Sequence, residues 1–301
     1  MTFDIFVMQL FNGLSSFTIL LLMALGLAIV FGLMGVINMA HGELMALGAY
    51  TTYLTARFFE AYLPGLMGGY LFAAILASFA VTFAFGFVLE RAFIRFFYDR
   101  PLDTLLATWG LSLILQQAYR AVFGAQEVSS PLTFWLSGAW EPTSGIQLPL
   151  NRIFIMGLTV LVAVAVWLLL YRTRWGLRAR AVTQNRKMSS AVGIDINRVD
   201  AMTFALGSGL AGIAGAVFTM IGSTNPGTGQ AYIVDSFIVV VFGGITSLLG
   251  TVASGFVIAQ TQTTLEYLMS GSMAKVSVML LLVVVLYFRP NGLFSSRVRT
   301  S

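Results

Sequence analysis

The 301 residues are 58% hydrophobic and only 10% charged, which excludes an ordinary soluble domain, where about a quarter of residues carry charge. The formal net charge of +5 sits mostly in a few loops, the pattern by which a membrane protein sets its orientation, so it does not argue for nucleic acid. Cysteine is absent, which removes disulfides, thiol nucleophiles and Cys-based metal sites.

Apolar runs long enough to cross a bilayer, about 17–25 residues, occupy residues 10–36, 66–90, 102–123, 153–171, 200–222 and 232–269, the last long enough for two passes. Shorter runs lie at 44–58 and 274–288. The pattern predicts an all-α integral membrane protein, a polytopic bundle of about eight or nine transmembrane helices forming a single membrane domain over 1–301. No Lys or Arg precedes Arg57, so the first run lacks the basic flank of a signal peptide and is expected to be retained.

The first interruption comes at FGLMGVINMAHGELMALGAY, Phe31–Tyr50, and predicts a broken helix near residues 35–43. It carries Asn38, Glu43 and the only histidine, His41. Ionisable groups at such depth cost roughly 2.5–3.5 kcal/mol each on insertion scales and normally face a bundle interior or a watery path. These residues either line a transport pathway or make contacts that hold helices together. Further on, Thr104, Thr108, Ser112 and Gln116 recur every four residues and share one helix face. That face either lines the same path or hydrogen-bonds to a neighbouring helix.

Three basic regions set the orientation: Arg91, Arg95 and Arg100; Arg172, Arg174, Arg178, Arg180, Arg186, Lys187 and Arg198; and Arg289, Arg297 and Arg299. Placing all three in the cytoplasm leaves Arg57, Arg120, Arg152 and Lys275 on or near the outer side. Gly124–Asn151, with three prolines, then becomes an outer segment of irregular structure.

The longest cytoplasmic connection, about 172–200, is more than a basic tail. A helix over Leu177–Val192, stopped by Gly193, would place basic residues beside Ala, Val and Met. Such a helix suits docking on a soluble partner; topology alone explains the arginines but not the apolar pattern. Beyond it, the small residues of Gly207–Ala216 form two i+4 stripes for close helix packing. Phe242–Gly243–Gly244 marks a bend. Asp235 is expected to cap a helix starting near Ser236, and Gln260–Thr264, QTQTT, to face a lumen or the outer mouth.

No catalytic constellation is present. There is no phosphate-cradling Walker sequence and no Gly-x-Ser-x-Gly elbow, and His41 has no second histidine or cysteine with which to hold a metal.

The segments GLAIVFGLMGVINMAHGELMALGAY (Gly26–Tyr50), NRKMSSAVGIDINRVD (Asn185–Asp200) with the following FALGSGLAGIAGA, and YFRPNGLF (Tyr287–Phe294) resemble the permease subunits of bacterial ABC importers for branched-chain amino acids and urea. The similarity runs from about Asn12 to Phe294. Within that family, Arg100–Gln117 and Ala231–Gly244 look more like the urea-type permease than the amino-acid type. The resemblance implies a multi-pass subunit of the inner membrane, surrounded by lipid. It would pair with a second, homologous permease and receive solute from a periplasmic binding protein. Two ATPase subunits, which use the ATP and Mg, would drive it, since this chain needs no cofactor of its own. By position, Thr183, Gln184, Asn185, Arg186, Lys187, Met188 and Gly193 become the ATPase-coupling region. Asn38, His41 and Glu43, with Thr108, Ser112 and Gln116, become the expected substrate pathway. Urea, or a short amide, is the expected solute and a branched-chain amino acid the alternative; a stand-alone channel or carrier is a more distant rival.

Overall fold

With no water in a bilayer to satisfy backbone amides, each apolar run closes its hydrogen bonds inside a helix. The computed structural model describes residues 3–98, 100–143, 146–289 and 292. Its helices in chain order are α1 (Phe3–Met34), α2 (His41–Tyr62), α3 (Tyr70–Ala92), α4 (Pro101–Phe123), α5 (Leu150–Arg172), α6 (Arg174–Gln184), α7 (Arg186–Ala191), α8 (Ile196–Phe218), α9 (Thr228–Gly243), α10 (Leu248–Leu268) and α11 (Gly271–Phe288). The all-α polytopic class is as expected. Five stretches, containing α1, α3, α5, α8 and α11, are long and apolar enough to cross a membrane by themselves. Polar residues dilute α2, α4 and α10, which are nevertheless of spanning length.

The centre is built on α1, α2, α3 and α8. The stripes in α8 act as the sequence predicts, by removing side chains where backbones touch. A Cβ on Gly212 would lie 2.1 Å from Thr82 Oγ1, and one on Gly215 would lie 2.0 Å from the Met45 carbonyl oxygen. Around this centre, α4 and α11 turn leucine, valine and aromatic side chains outward, including Leu106, Ile114, Leu280 and Val283. Such faces suit lipid.

Chain breaks fall where glycine can adopt a positive φ: Gly35 (+70°) ends α1, Gly193 (+83°) follows α7, and Gly244 (+97°) follows α9. The first break spans residues 35–40, so His41 and Glu43 open α2 rather than lying in the break itself. His41 packs beside Gly26, eight residues before the end of α1 and therefore about 12 Å from that end at 1.5 Å per residue. Glycine 229, in the first turn of α9, meets Gly42 there: a Cβ on Gly42 would lie 2.3 Å from the Gly229 carbonyl oxygen. From this meeting point α2 and α9 run in opposite directions. The far end of α9 reaches the end of α1, where Ile245 packs on Gly32.

The basic clusters gather at one end. Arg186 lies over the Tyr98 ring between the first two of them, and the Thr183 hydroxyl donates to the Leu33 carbonyl at the end of α1, 2.8 Å away. Gly292, just beyond Arg289, packs on Gly244. Arg297, Arg299 and the end of the YFRPNGLF segment lie outside the described residues.

Three local expectations are corrected. The helix expected over Leu177–Val192 is two helices, because Asn185 takes an extended conformation and its side chain caps α7 by accepting from Met188 N at 2.9 Å. Asp235 caps nothing: α9 already starts at Thr228, and Asp235 lies within it, ion-paired to Lys275 of α11 at 2.9 Å. The outer segment is not merely irregular. It contains an antiparallel hairpin, β1 (Ala139–Thr143) with β2 (Ile146–Pro149), and Val128 bridges to Thr224 in the α8–α9 connection. In the same outer region, hydrogen bonds from Ser223 and Asn225 hold the Glu127 carboxyl below its usual range.

Candidate functional site

The start of α2 concentrates the buried polar groups. Asn38, His41 and Glu43 are all about 1% exposed or less. Asn38 folds back on its own turn, its Oδ1 accepting from Ala40 N at 3.0 Å. Glu43 stands in the first turn of α2, where the helix N-terminus favours a carboxylate. Its Oε1 accepts from Ser112 Oγ at 3.0 Å and from Gln116 Nε2 at 2.8 Å. Tyr119, one turn further along α4, donates to the Glu43 carbonyl at 2.9 Å. Thr108 completes the row, accepting from Met39 N at 3.1 Å and donating to the Ile37 carbonyl at 3.3 Å.

The periodic face of α4 therefore packs directly on the break and on α2. Asn38, Glu43, Thr108, Ser112 and Gln116 form one neighbourhood. His41 stands apart from it, toward α1, with Nε2–H donating to the Met23 carbonyl at 3.3 Å. Three of these side chains keep a buried polar atom without a partner among the described residues: Asn38 Nδ2, His41 Nδ1 and Glu43 Oε2. Unpaired buried polar atoms cost about 1–3 kcal/mol each and are rare in settled cores. Their concentration where two interrupted helices meet fits a place where helices separate and a polar solute takes up the spare donors and acceptors. Sequence reasoning missed Tyr119 and Tyr50, which stacks on Phe123 at 4.1 Å between ring centroids. Tyr119 lies three residues beyond Gln116 on the same α4 face, so extending that row by one turn would have found it, whereas Tyr50 follows the apolar Ala46 at four residues and carries no such signal.

At the basic end, the coupling candidates divide by direction. Thr183 ties α6 to α1, while Asn185 holds the α6–α7 corner. Arg186 turns inward to Asp200 of α8 at 2.5 Å. Gln184, Lys187 and Gly193 are exposed, and Met188 is 61% exposed. An exposed methionine beside a lysine on a short, capped helix is a surface suited to a soluble partner.

A polytopic helical bundle with paired helix interruptions and polar groups at depth is the architecture of a membrane transporter. The sequence profile described as "Branched-chain amino acid transport system / permease component" matches residues 9–287, and the chain belongs to that family. It is 30% identical to the high-affinity branched-chain amino acid transport system permease protein BraD of Pseudomonas aeruginosa, covering 96% of this chain and 95% of that one. It is 28% identical to the corresponding permease protein LivH of Escherichia coli K12, with the same coverage. A ribose import permease, RbsC of Escherichia coli K12, is 30% identical over 80% of this chain and 70% of its own. No solved structure matches the chain significantly. The chain is thus an inner-membrane, multi-pass permease subunit of an ABC importer, and not an enzyme.

Proposed function

We propose that this chain forms the conduit of an ABC importer that carries branched-chain amino acids into the cell. The observation that carries the solute assignment is the end-to-end similarity to two permeases whose names specify that substrate class. It favours the amino-acid alternative over the urea expected from the sequence. A periplasmic binding protein delivers the solute to the outer face. A second, homologous permease subunit completes the conduit, and two ATPase subunits hydrolyse ATP with Mg below it.

In this reading α7 and its exposed Lys187 and Met188 seat on an ATPase. Movement there passes through Arg186 to α8 and through Thr183 to the end of α1, the two helices that pack beside the start of α2. Separation of α2 from α4 would break the contacts of Glu43 with Ser112 and Gln116 and expose them to solute.

Urea is kept as a second reading on a specific observation. The Glu43, Ser112 and Gln116 group offers acceptors and donors to a small planar amide, and among the described residues no lysine or arginine takes part in it. Stretches Arg100–Gln117 and Ala231–Gly244 also resemble the urea-type permease. Uptake of radiolabelled leucine by the complete reconstituted complex, with excess unlabelled leucine or urea as competitor, tests the assignment. Leucine uptake unaffected by urea is expected; uptake of labelled urea without uptake of leucine reverses it.

A further inference from the structure

A polar cavity of about 670 Å³ opens at the end of the bundle away from the basic clusters, which the charge distribution makes the outer end. It lies between the first half of α1, the starts of α5, α9 and α11, and the second half of α10. Its charged groups are unlike those of the Glu43 site. Arg152, in the first turn of α5, reaches Asn12 of α1 at 2.7 Å through Nη1, and among the described residues no carboxylate lies within 4.0 Å of it. Glu266 of α10 accepts from Gln262 at 2.9 Å and likewise has no cationic partner among the described residues. Asp235 and Lys275 neutralise each other across the same space at 2.9 Å. Ile19 and Leu20 of α1 and Ile221 of the α8–α9 connection supply apolar surface to it.

We infer that this cavity receives a zwitterionic aliphatic amino acid on its way in, with Arg152 binding the α-carboxylate and Glu266 the α-ammonium. A guanidinium presents paired N–H donors that match a carboxylate, and a carboxylate accepts from an ammonium, so one cation and one anion in a shared cavity read the two ends of such a solute. The apolar wall accommodates the side chain. A neutral diamide would use neither charge, so the inference rests on the amino-acid reading and sharpens it.

The chain's lack of cysteine makes a direct test clean. In the complete importer reconstituted in vesicles, Gln262→Cys is labelled from the outer side with a membrane-impermeant maleimide. Leucine should slow labelling roughly tenfold at saturation, and urea should not. In parallel, Arg152→Gln and Glu266→Gln should each raise the KM for leucine by roughly ten- to a hundredfold, the factor for losing one hydrogen bond to a charged group, while the complex still co-purifies. Labelling indifferent to leucine in an importer that transports leucine overturns the cavity assignment and leaves the amino-acid function standing. So does an unchanged KM in both variants. Absence of any leucine uptake overturns both.

Discussion

Arg186 of α7 donates to Asp200 of α8 at 2.5 Å, and its guanidinium carbon lies 5.3 Å from the centre of the Tyr98 ring. The Tyr98 hydroxyl in turn donates to Glu90 at the end of α3. Burial, with Glu90 beside it, pushes the Tyr98 phenol above its usual range, so it stays protonated and able to donate. The short cytoplasmic helix is therefore tied to two helices of the bundle centre through one arginine.

This divides the coupling residues into two experimental classes. Arg186→Ala leaves the Asp200 side chain, 2% exposed, without its cation. Removing one partner of a buried pair costs about 3–5 kcal/mol, and the half-exposed arginine puts the expected loss near or below the lower end of that range. Thermal unfolding in detergent should show it. Lys187→Glu and Met188→Glu should leave unfolding unchanged and reduce the amount of ATPase that co-purifies. Equal effects of all three substitutions on stability would refute the division.

Where α2 and α9 start, no side chain fits. A Cβ at Gly42 would lie 2.3 Å from a backbone oxygen of α9, and one at Gly229 would lie 1.9 Å from a backbone oxygen of α2. Neither neighbour can swing aside as a side chain would, so Gly42→Ala and Gly229→Ala should each cost at least the 1–3 kcal/mol or so of overpacking. Gly110→Ala, in α4 with nothing within 4 Å, should instead stabilise by about 0.5–1 kcal/mol through its helix propensity. Folded yields and melting temperatures of the three variants check the contrast.

Glu43→Gln preserves size and one acceptor oxygen for Ser112 and Gln116 but removes the ionisable group. If the start of α2 takes part in translocation, transport should fall roughly tenfold or more, while assembly with the partner chains stays normal. Normal uptake assigns the carboxylate to helix packing alone.

Gly193 follows α7 at φ +83°, a region costing a residue with a side chain roughly 1–2 kcal/mol. Its surroundings are open, so Gly193→Ala is expected to act through backbone strain without a clash. A drop in ATPase co-purification, with little change in the melting temperature of the bundle, is the expected result. No drop would place the helix stop outside the coupling surface.

The sequence by itself determined what depends on local chemistry. Apolar runs of spanning length made the chain a polytopic helical membrane protein, and arginine clusters marked one end. Glycines that tolerate positive φ marked the breaks after α1, α7 and α9, and small residues four apart in α8 announced close packing. These signals survive because helix period, backbone conformation and transfer into lipid are properties of neighbouring residues. The tertiary structure decided who meets whom: Glu43 with Gln116, Asp235 with Lys275, Gly42 with Gly229, and Arg152 with Glu266 around one cavity. A helix face records that a residue is polar but not which distant helix turns toward it. That choice follows from how the bundle packs as a whole, and for that reason the expected cap at Asp235 became an ion pair.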